Sequence, residues 1–307
     1  MTRFGLQLWS QQTDWPGFRD AALAADAADW DSVWTWDHLM AIFGPAQQPI
    51  FEGWGLMSAL APLTSRVRLG LLVGANTFRS PAHTAKLATT LDHLSGGRAV
   101  LGIGGAWFER EHEGYGIDFY SGFGERLDRL DEAVMLMRRL LDGERFSHEG
   151  RFYTFKDALC EPRPIQAHLP ILVGGSGPKK TLRTVALRAD GWNTAGTIDE
   201  VRARLAILAE HCDAVGRDIT TIEKTVSFPI MLRDDRAAAA AAFEALLAHN
   251  GVEAPDQRGL TGTPAEVADT IRPYAELGFE TVIVRMPAPY DRETIDRMAE
   301  VRELLDA

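Results

Sequence analysis

In this 307-residue chain, several apolar runs end in residue types that hold small molecules. In VGGSGPKKTL (173–182) a strand-like run passes into Gly174, Gly175, Ser176 and Gly177, then into a helical stretch. Backbone N–H groups left free in such a turn, with a helix start behind them, favour an anion such as a phosphate. Lys179, Lys180 and Arg183 add positive charge there, although a solvated basic face would carry the same residues. The spacing is not the GxxxxGK[ST] of a Walker loop. LLVGANTFRSP (71–81) ends in Gly74, Ala75 and Asn76, small enough at its first two positions for a flat ring to approach the backbone. An ordinary strand-to-loop transition uses the same letters. TWDHL (35–39) puts Asp37 and His38 just past a buried run. An imidazole there can donate a hydrogen bond to a ring oxygen or exchange a proton near neutral pH; a loop histidine satisfied by backbone carbonyls is the plainer alternative.

Other patterns exclude more than they assign. In LGIGGAWFEREHEGYG (101–116), Gly102 and Gly104 open like a dinucleotide fingerprint, but Trp107 stands where its third glycine should be. No acidic residue closes a neighbouring strand to grip a ribose, so a nicotinamide-binding Rossmann domain is disfavoured. Glu111 and His112 lack HExxH spacing, and no metal site is expected. Ser-His-Asp order, a GxSxG elbow and a CxxC pair do not occur, which leaves a hydrolase little to stand on. Glycine-rich ends with few acids and a phosphate cradle suit a site where a cofactor does the chemistry.

These ends need elements to position them, and the chain alternates strand and helix. Strands are expected at 4–9, 32–36, 67–75, 98–104, 170–175, 191–195, 221–232 and 281–286. Helices are expected at 16–29, 54–63, 83–94, 125–141, up to 188, 199–215, 236–248, 264–277 and 291–305. RFYTF (151–155) reads as an extended excursion outside the repeat. Asp14 before Pro16, and Thr263 before Pro264, read as helix starts. Alternation of this kind predicts a parallel sheet with covering helices, and about eight strands in this length suit a single-domain (β/α)8 TIM barrel over 1–307. Chemistry then gathers at the C-terminal strand ends: Asp37-His38, Gly74 to Thr77, Gly104-Gly105, Gly174 to Gly177 and Asn193-Thr194. Trp9, Trp34, Trp36, Phe43 and Trp54 lie near the first two units, where core packing is their expected role.

Composition sets the outer limits. A formal charge of −11 argues against a nucleic-acid surface. The sequence holds no apolar run of the ~18 residues a membrane span requires, and its first residues do not read as a signal peptide. Cys160 and Cys212 lie far apart without metal spacing, as buried thiols in a reducing cytoplasm would.

Taken in order, SVWTWDHL, RLGLLVGANTFRSP, GGRAVLGIGGAWFEREHEGYG and PILVGGSGPKKTLRTVALRADGWN resemble the luciferase-like monooxygenase superfamily, and specifically its deazaflavin (coenzyme F420)-dependent oxidoreductases. The resemblance covers nearly the whole chain. It implies a barrel with insertions, often a homodimer, binding F420, or FMN as the alternative, at its upper mouth. It implies that Asp37 and His38 face the ring, with His38 catalytic. A non-proline cis peptide would fall near Leu72-Val73, behind the ring. Gly74, Ala75, Asn76, Gly104, Gly105, His112 and Thr194 would line the cofactor, and Gly174, Gly175, Ser176 and Gly177 would hold its phosphate. The sugar-phosphate dehydrogenase branch carries a glutamate proton donor after its fourth strand; Trp107 takes that place here, with Glu109 and Glu111 out of register. The activities implied are hydride transfer between F420 and a small organic substrate, an FMN monooxygenase, or a non-catalytic flavin-binding protein.

Overall fold

A computed structural model describes residues 2–252 and 259–307. In chain order, the elements open with β1 (Arg3–Leu8), α1 (Trp15–Ala27), β2 (Ser32–Thr35), α2 (Gly53–Leu60), β3 (Arg68–Leu71), β4 (Gly74–Ala75), α3 (Pro81–Ser95) and β5 (Ala99–Gly104). Then come α4 (Glu109–Tyr115), α5 (Phe123–Leu141), β6 (Phe146–Glu149), β7 (Thr154–Ala158), β8 (Ile171–Gly174), α6 (Thr181–Arg188) and β9 (Gly191–Thr194). The last are α7 (Ile198–Val215), β10 (Glu223–Leu232), α8 (Arg236–His249), β11 (Leu260–Gly262), α9 (Pro264–Glu276), β12 (Thr281–Met286) and α10 (Arg292–Asp306).

The chain forms two compact units, 1–68 with 224–307, and 69–223. In the first, parallel strands run β11-β10-β12-β1-β2, with Leu6 opposite Val284 and Gln7 opposite both Arg285 and Trp34. One face of these strands carries Phe4, Leu6, Leu8, Val282 and Val284, all buried. Phe4 stacks edge-on to Trp30, whose indole N–H reaches the Ile295 carbonyl of α10. The burial of such side chains, worth ~1.5–3 kcal/mol each, is the main force holding the helices on the sheet.

In the second unit β3-β5-β8-β9 are parallel, with β4 also paired to β5. Buried Leu130, Val134, Met137 and Leu141 fall on one face of α5, at the spacing the sequence predicts. Helix starts follow their capping signals. Asp14 accepts from the Gly17 amide, and Thr263 forms a reciprocal box with Glu266 directly ahead of Pro264.

One expectation needs correction. The run 67–75 is not one strand: it breaks after Leu71 and resumes at Gly74. The Leu72–Val73 peptide between is cis, at the place the family resemblance implies. The excursion at 151–155 lies outside the repeat as expected, at the antiparallel pair β6–β7, which stands apart from the parallel sheet. The helix α4 and strand β11 were not foreseen. No helix among the described residues is long and apolar enough to cross a membrane.

Candidate functional site

Parallel pairing in the second unit brings the glycine-rich ends to one rim. Ala75 is opposite Gly104, Ile103 opposite Val173, and Gly174 opposite Asn193. Residues 74–77, 104–105, 174–177 and 193–194 therefore lie side by side past the strands. The centre of this rim is Val73. A Cβ added at Gly104 would come within 2.7 Å of Val73 Cγ2, and one at Gly174 within 2.8 Å of Val73 Cγ1. These glycines make room first for a branched side chain of the chain itself. Gly104, which the family resemblance sets along the cofactor, thus packs directly on Val73. Gly105 likewise faces Leu127, 2.9 Å from where its Cβ would be.

The end of β8 has the features an anion needs. Gly175 turns the chain at φ +136°, a conformation that side chains resist, and its amide is tied to the Asn193 carbonyl at 3.0 Å. The amides of Ser176 and Gly177 then donate to nothing among the described residues. Hydroxyls sit beside them: Ser176 Oγ lies 3.2 Å from Thr194 Oγ1, which is 3.4 Å from Arg204 Nη1. A Cβ at Gly177 would strike Thr181 Oγ1 at 2.7 Å, so the turn packs this closely on α6 only because Gly177 has no side chain. Two unpartnered amides, two hydroxyls and a guanidinium form a donor set that fits a phosphate. Lys180 is not part of it. Its ammonium pairs with Asp128 at 2.6 Å and donates to the Gly124 carbonyl. Lys179 and Arg183 are exposed.

Beyond β4, Asn76 and Thr77 are buried. Asn76 Nδ2 donates to the Tyr153 hydroxyl at 3.2 Å. Burial pushes the pKa of Tyr153 up, against the smaller opposing pull of that bond, so it stays a neutral phenol. Thr77 Oγ1 is 2.7 Å from His112 Nε2, while His112 Nδ1 donates to the Phe108 carbonyl at 2.8 Å. The His112 ring is wholly buried between Phe78 and Phe119. This corrects the placement of His112 on the cofactor surface: both its nitrogens are engaged within the chain, and it reaches the rim only through Thr77. Thr77 stands among the strand ends the sequence points to, whereas Tyr153 was not singled out. A tyrosine in the polar excursion gave little warning, because the hairpin that carries it was not legible.

Asp37 and His38 belong to the first unit, just past β2. Asp37 is buried and His38 half-buried, its ring edge-on to Trp36 at 5.6 Å. Trp36 packs on Trp9 at 4.7 Å, and Trp9 stacks on Phe43 at 5.1 Å. Those indoles sit in a core with Phe243 and Leu246 of α8. Cys160 and Cys212 are buried thiols. Among the described residues no group of three or more His, Cys, Asp or Glu is placed to hold a metal.

Residues 1–257 match the family described as luciferase-like monooxygenase. The chain belongs to that family. The F420-dependent hydroxymycolic acid dehydrogenase of Mycobacterium tuberculosis is 33% identical over 252 residues, 80% of this chain and 68% of that one. An uncharacterised protein of Mycobacterium bovis is 34% identical over 167 residues; the match covers 54% of this chain and little more than half, 58%, of that relative. Among solved structures, an F420-dependent secondary alcohol dehydrogenase in complex with an F420-acetone adduct superposes with a TM-score of 0.85. It shares 20% identity and 99% coverage of both chains. The fold is thus the luciferase-like (β/α)8 barrel.

Proposed function

We propose that this luciferase-like barrel is a coenzyme F420-dependent oxidoreductase, moving a hydride between the deazaflavin and a small organic substrate. The observation that carries the reading is the open pair of amides at Ser176 and Gly177, on the same rim as Gly74, Ala75, Asn76 and Gly104. A phosphate-bearing cofactor would be anchored at 174–177, with Thr194 alongside. Leu72, Val73 and Gly74 would supply the apolar backing for its ring. Relatives named for F420 and for alcohol or hydroxy-acid dehydrogenation support this choice of cofactor.

A bound deazaflavin supplies a carbon that accepts or gives a hydride and lacks the nitrogen at which a flavin meets oxygen. The chain must then bind substrate, exclude water and move one proton. His38 is assigned that proton by the family resemblance: its ring would take the hydroxyl proton as the carbinol hydrogen leaves with its electron pair, and return it in the reverse direction. Asp37 would orient it. Asn76 is tied through Nδ2 to the Tyr153 hydroxyl and would meet the cofactor from beside the ring. We further propose a homodimer, as the family resemblance implies, and a cytoplasmic location.

The family's other chemistry, an FMN monooxygenase, uses the same pocket. Titrating the protein with F420 and with FMN separates the two. Tighter binding of F420 and no oxygen uptake is the expected result; FMN binding more tightly overturns the reading.

A further inference from the structure

Arg285 is the next-to-last residue of β12, where pairing sets it level with Gln7 of β1 and Pro229 of β10, and Gln7 level with Trp34 of β2. Strand alternation fixes the face. Phe4 and Phe228 lean on Trp30 and on Tyr274 of α9, which is the helix side. The alternate residues Gly5, Gln7, Ser227, Pro229, Ile283 and Arg285 take the opposite face. In a (β/α)8 barrel that face is the interior, and the C-terminal end of a strand is where ligands are held.

A guanidinium in such a place ordinarily finds an acid. Half-buried Arg233 grips Asp291 at 2.8 Å and Arg188 grips Asp131 at 3.0 Å. Arg285 makes no hydrogen bond or ion pair with any described residue, and its Nε is sealed from solvent. Neither its own row nor the row before it (Ser32, Gly5, Ile283, Ser227) holds a carboxylate. Burial lowers its pKa to about 10, which still leaves it cationic at neutral pH. Arg285 is half-buried, and an unpaired charge whose Nε is cut off from water is costly, so a barrel interior that keeps one trades stability for a ligand of opposite sign.

We propose that Arg285 binds an oxyanion, a carboxylate or a phosphate, carried by the substrate. Calling the ligand a substrate rests on the oxidoreductase reading above; the anion site itself does not. The planar fork of arginine pairs with both oxyanions through two parallel hydrogen bonds, and a neutral alcohol offers it no such match.

The test is calorimetric titration of the full-length protein at constant ionic strength with sodium propionate, inorganic phosphate and neutral propionamide. Wild type is compared with Arg285→Met and Arg285→Lys. Wild type is expected to bind one of the two anions and not the amide. Arg285→Met should weaken that binding at least tenfold, and Arg285→Lys should fall between. Preference for propionate assigns a carboxylate; preference for phosphate assigns a phosphate ester.

Thermal melting provides a readout that a structural role would move the other way. Without anion, Arg285→Met should melt at or above the wild-type temperature, because it removes an unpaired charge. A variant that melts well below wild type, anion binding unaffected by Arg285→Met, or a wild type that binds neither anion each overturns the proposal. Titrating the same samples with F420 keeps the two claims apart. A wild type that fails to bind F420 brings down the oxidoreductase reading and leaves the anion result standing.

Discussion

Replacing Gly104 with alanine tests the packing that builds the rim. The new methyl would sit 2.7 Å from Val73 Cγ2, roughly 1 Å inside the ~3.5–4.0 Å at which carbon atoms rest. Val73 is β-branched and stiff, and its Cγ1 already fills the space that Gly174 leaves, 2.8 Å from where a Cβ on that residue would be. Overpacking of this kind costs ~1–3 kcal/mol. Thermal melting should therefore fall by a few degrees, at about 2 °C per kcal/mol for a chain of this size. The decisive comparison is a double-mutant cycle. Val73→Ala alone should destabilise by ~1–2 kcal/mol through lost methyl burial. Combined with Gly104→Ala, it should cost less than the two together, with a coupling of ~1 kcal/mol or more, because the new methyl then fills the space the old ones left. F420 affinity should follow the same cycle: weakened by Gly104→Ala and partly restored in the double variant. Additive melting shifts, or an unaffected Gly104→Ala, would refute the idea that Gly104 exists to house Val73.

Further outcomes follow from single contacts. Gly175→Leu should cost most of the F420 affinity, as its φ of +136° and a Thr181 Cγ2 only 3.1 Å from the new Cβ would force the turn to rebuild; equilibrium titration checks it. His112→Ala should destabilise by ~2–4 kcal/mol in chemical denaturation, through a cavity between two aromatic rings and an orphaned Phe108 carbonyl, with loss of cofactor affinity only through Thr77. His38→Ala should lower turnover by ~10²–10⁴ while F420 still binds; unchanged turnover removes it from the reaction. The last concerns pH. Burial pushes the Asp291 carboxyl up, but hydrogen bonds from Arg233 and Thr294 outweigh it and leave the pKa lowered. A lowered folded pKa adds stability above the unfolded value near 3.8 that is lost as pH falls through the folded value. Asp291→Asn should therefore cost ~1–3 kcal/mol at pH 7, and progressively less as pH falls below 3.8, read from denaturation midpoints.

Much of the barrel was legible because buried parallel strands are nearly continuous apolar runs, as 98–104 and 281–286 are, and because Asp14 and Thr263 announce the helices they cap. The rim was legible for a related reason: Gly74, Gly104 and Gly174 each end such a run, and parallel pairing sets those ends side by side. Their purpose was not. Nothing in LLVGAN states that Val73 turns inward and claims the space the glycines vacate, since that depends on pairing across three strands. His112 was set along the cofactor by the family resemblance alone, since its bonds to Thr77 and Phe108 depend on the turn into α4, which the letters do not show. Arg285 left a fainter mark, one cation in an apolar strand, and its neighbours Gln7 and Pro229 lie more than fifty residues away in sequence.

The most direct measurement is a crystal structure of the protein loaded with F420. The account predicts phosphate oxygens within about 2.7–3.2 Å of the Ser176 and Gly177 amides, and the deazaflavin ring laid against Leu72 to Gly74. A phosphate bound at another strand end, with those two amides turned to other partners, would contradict it.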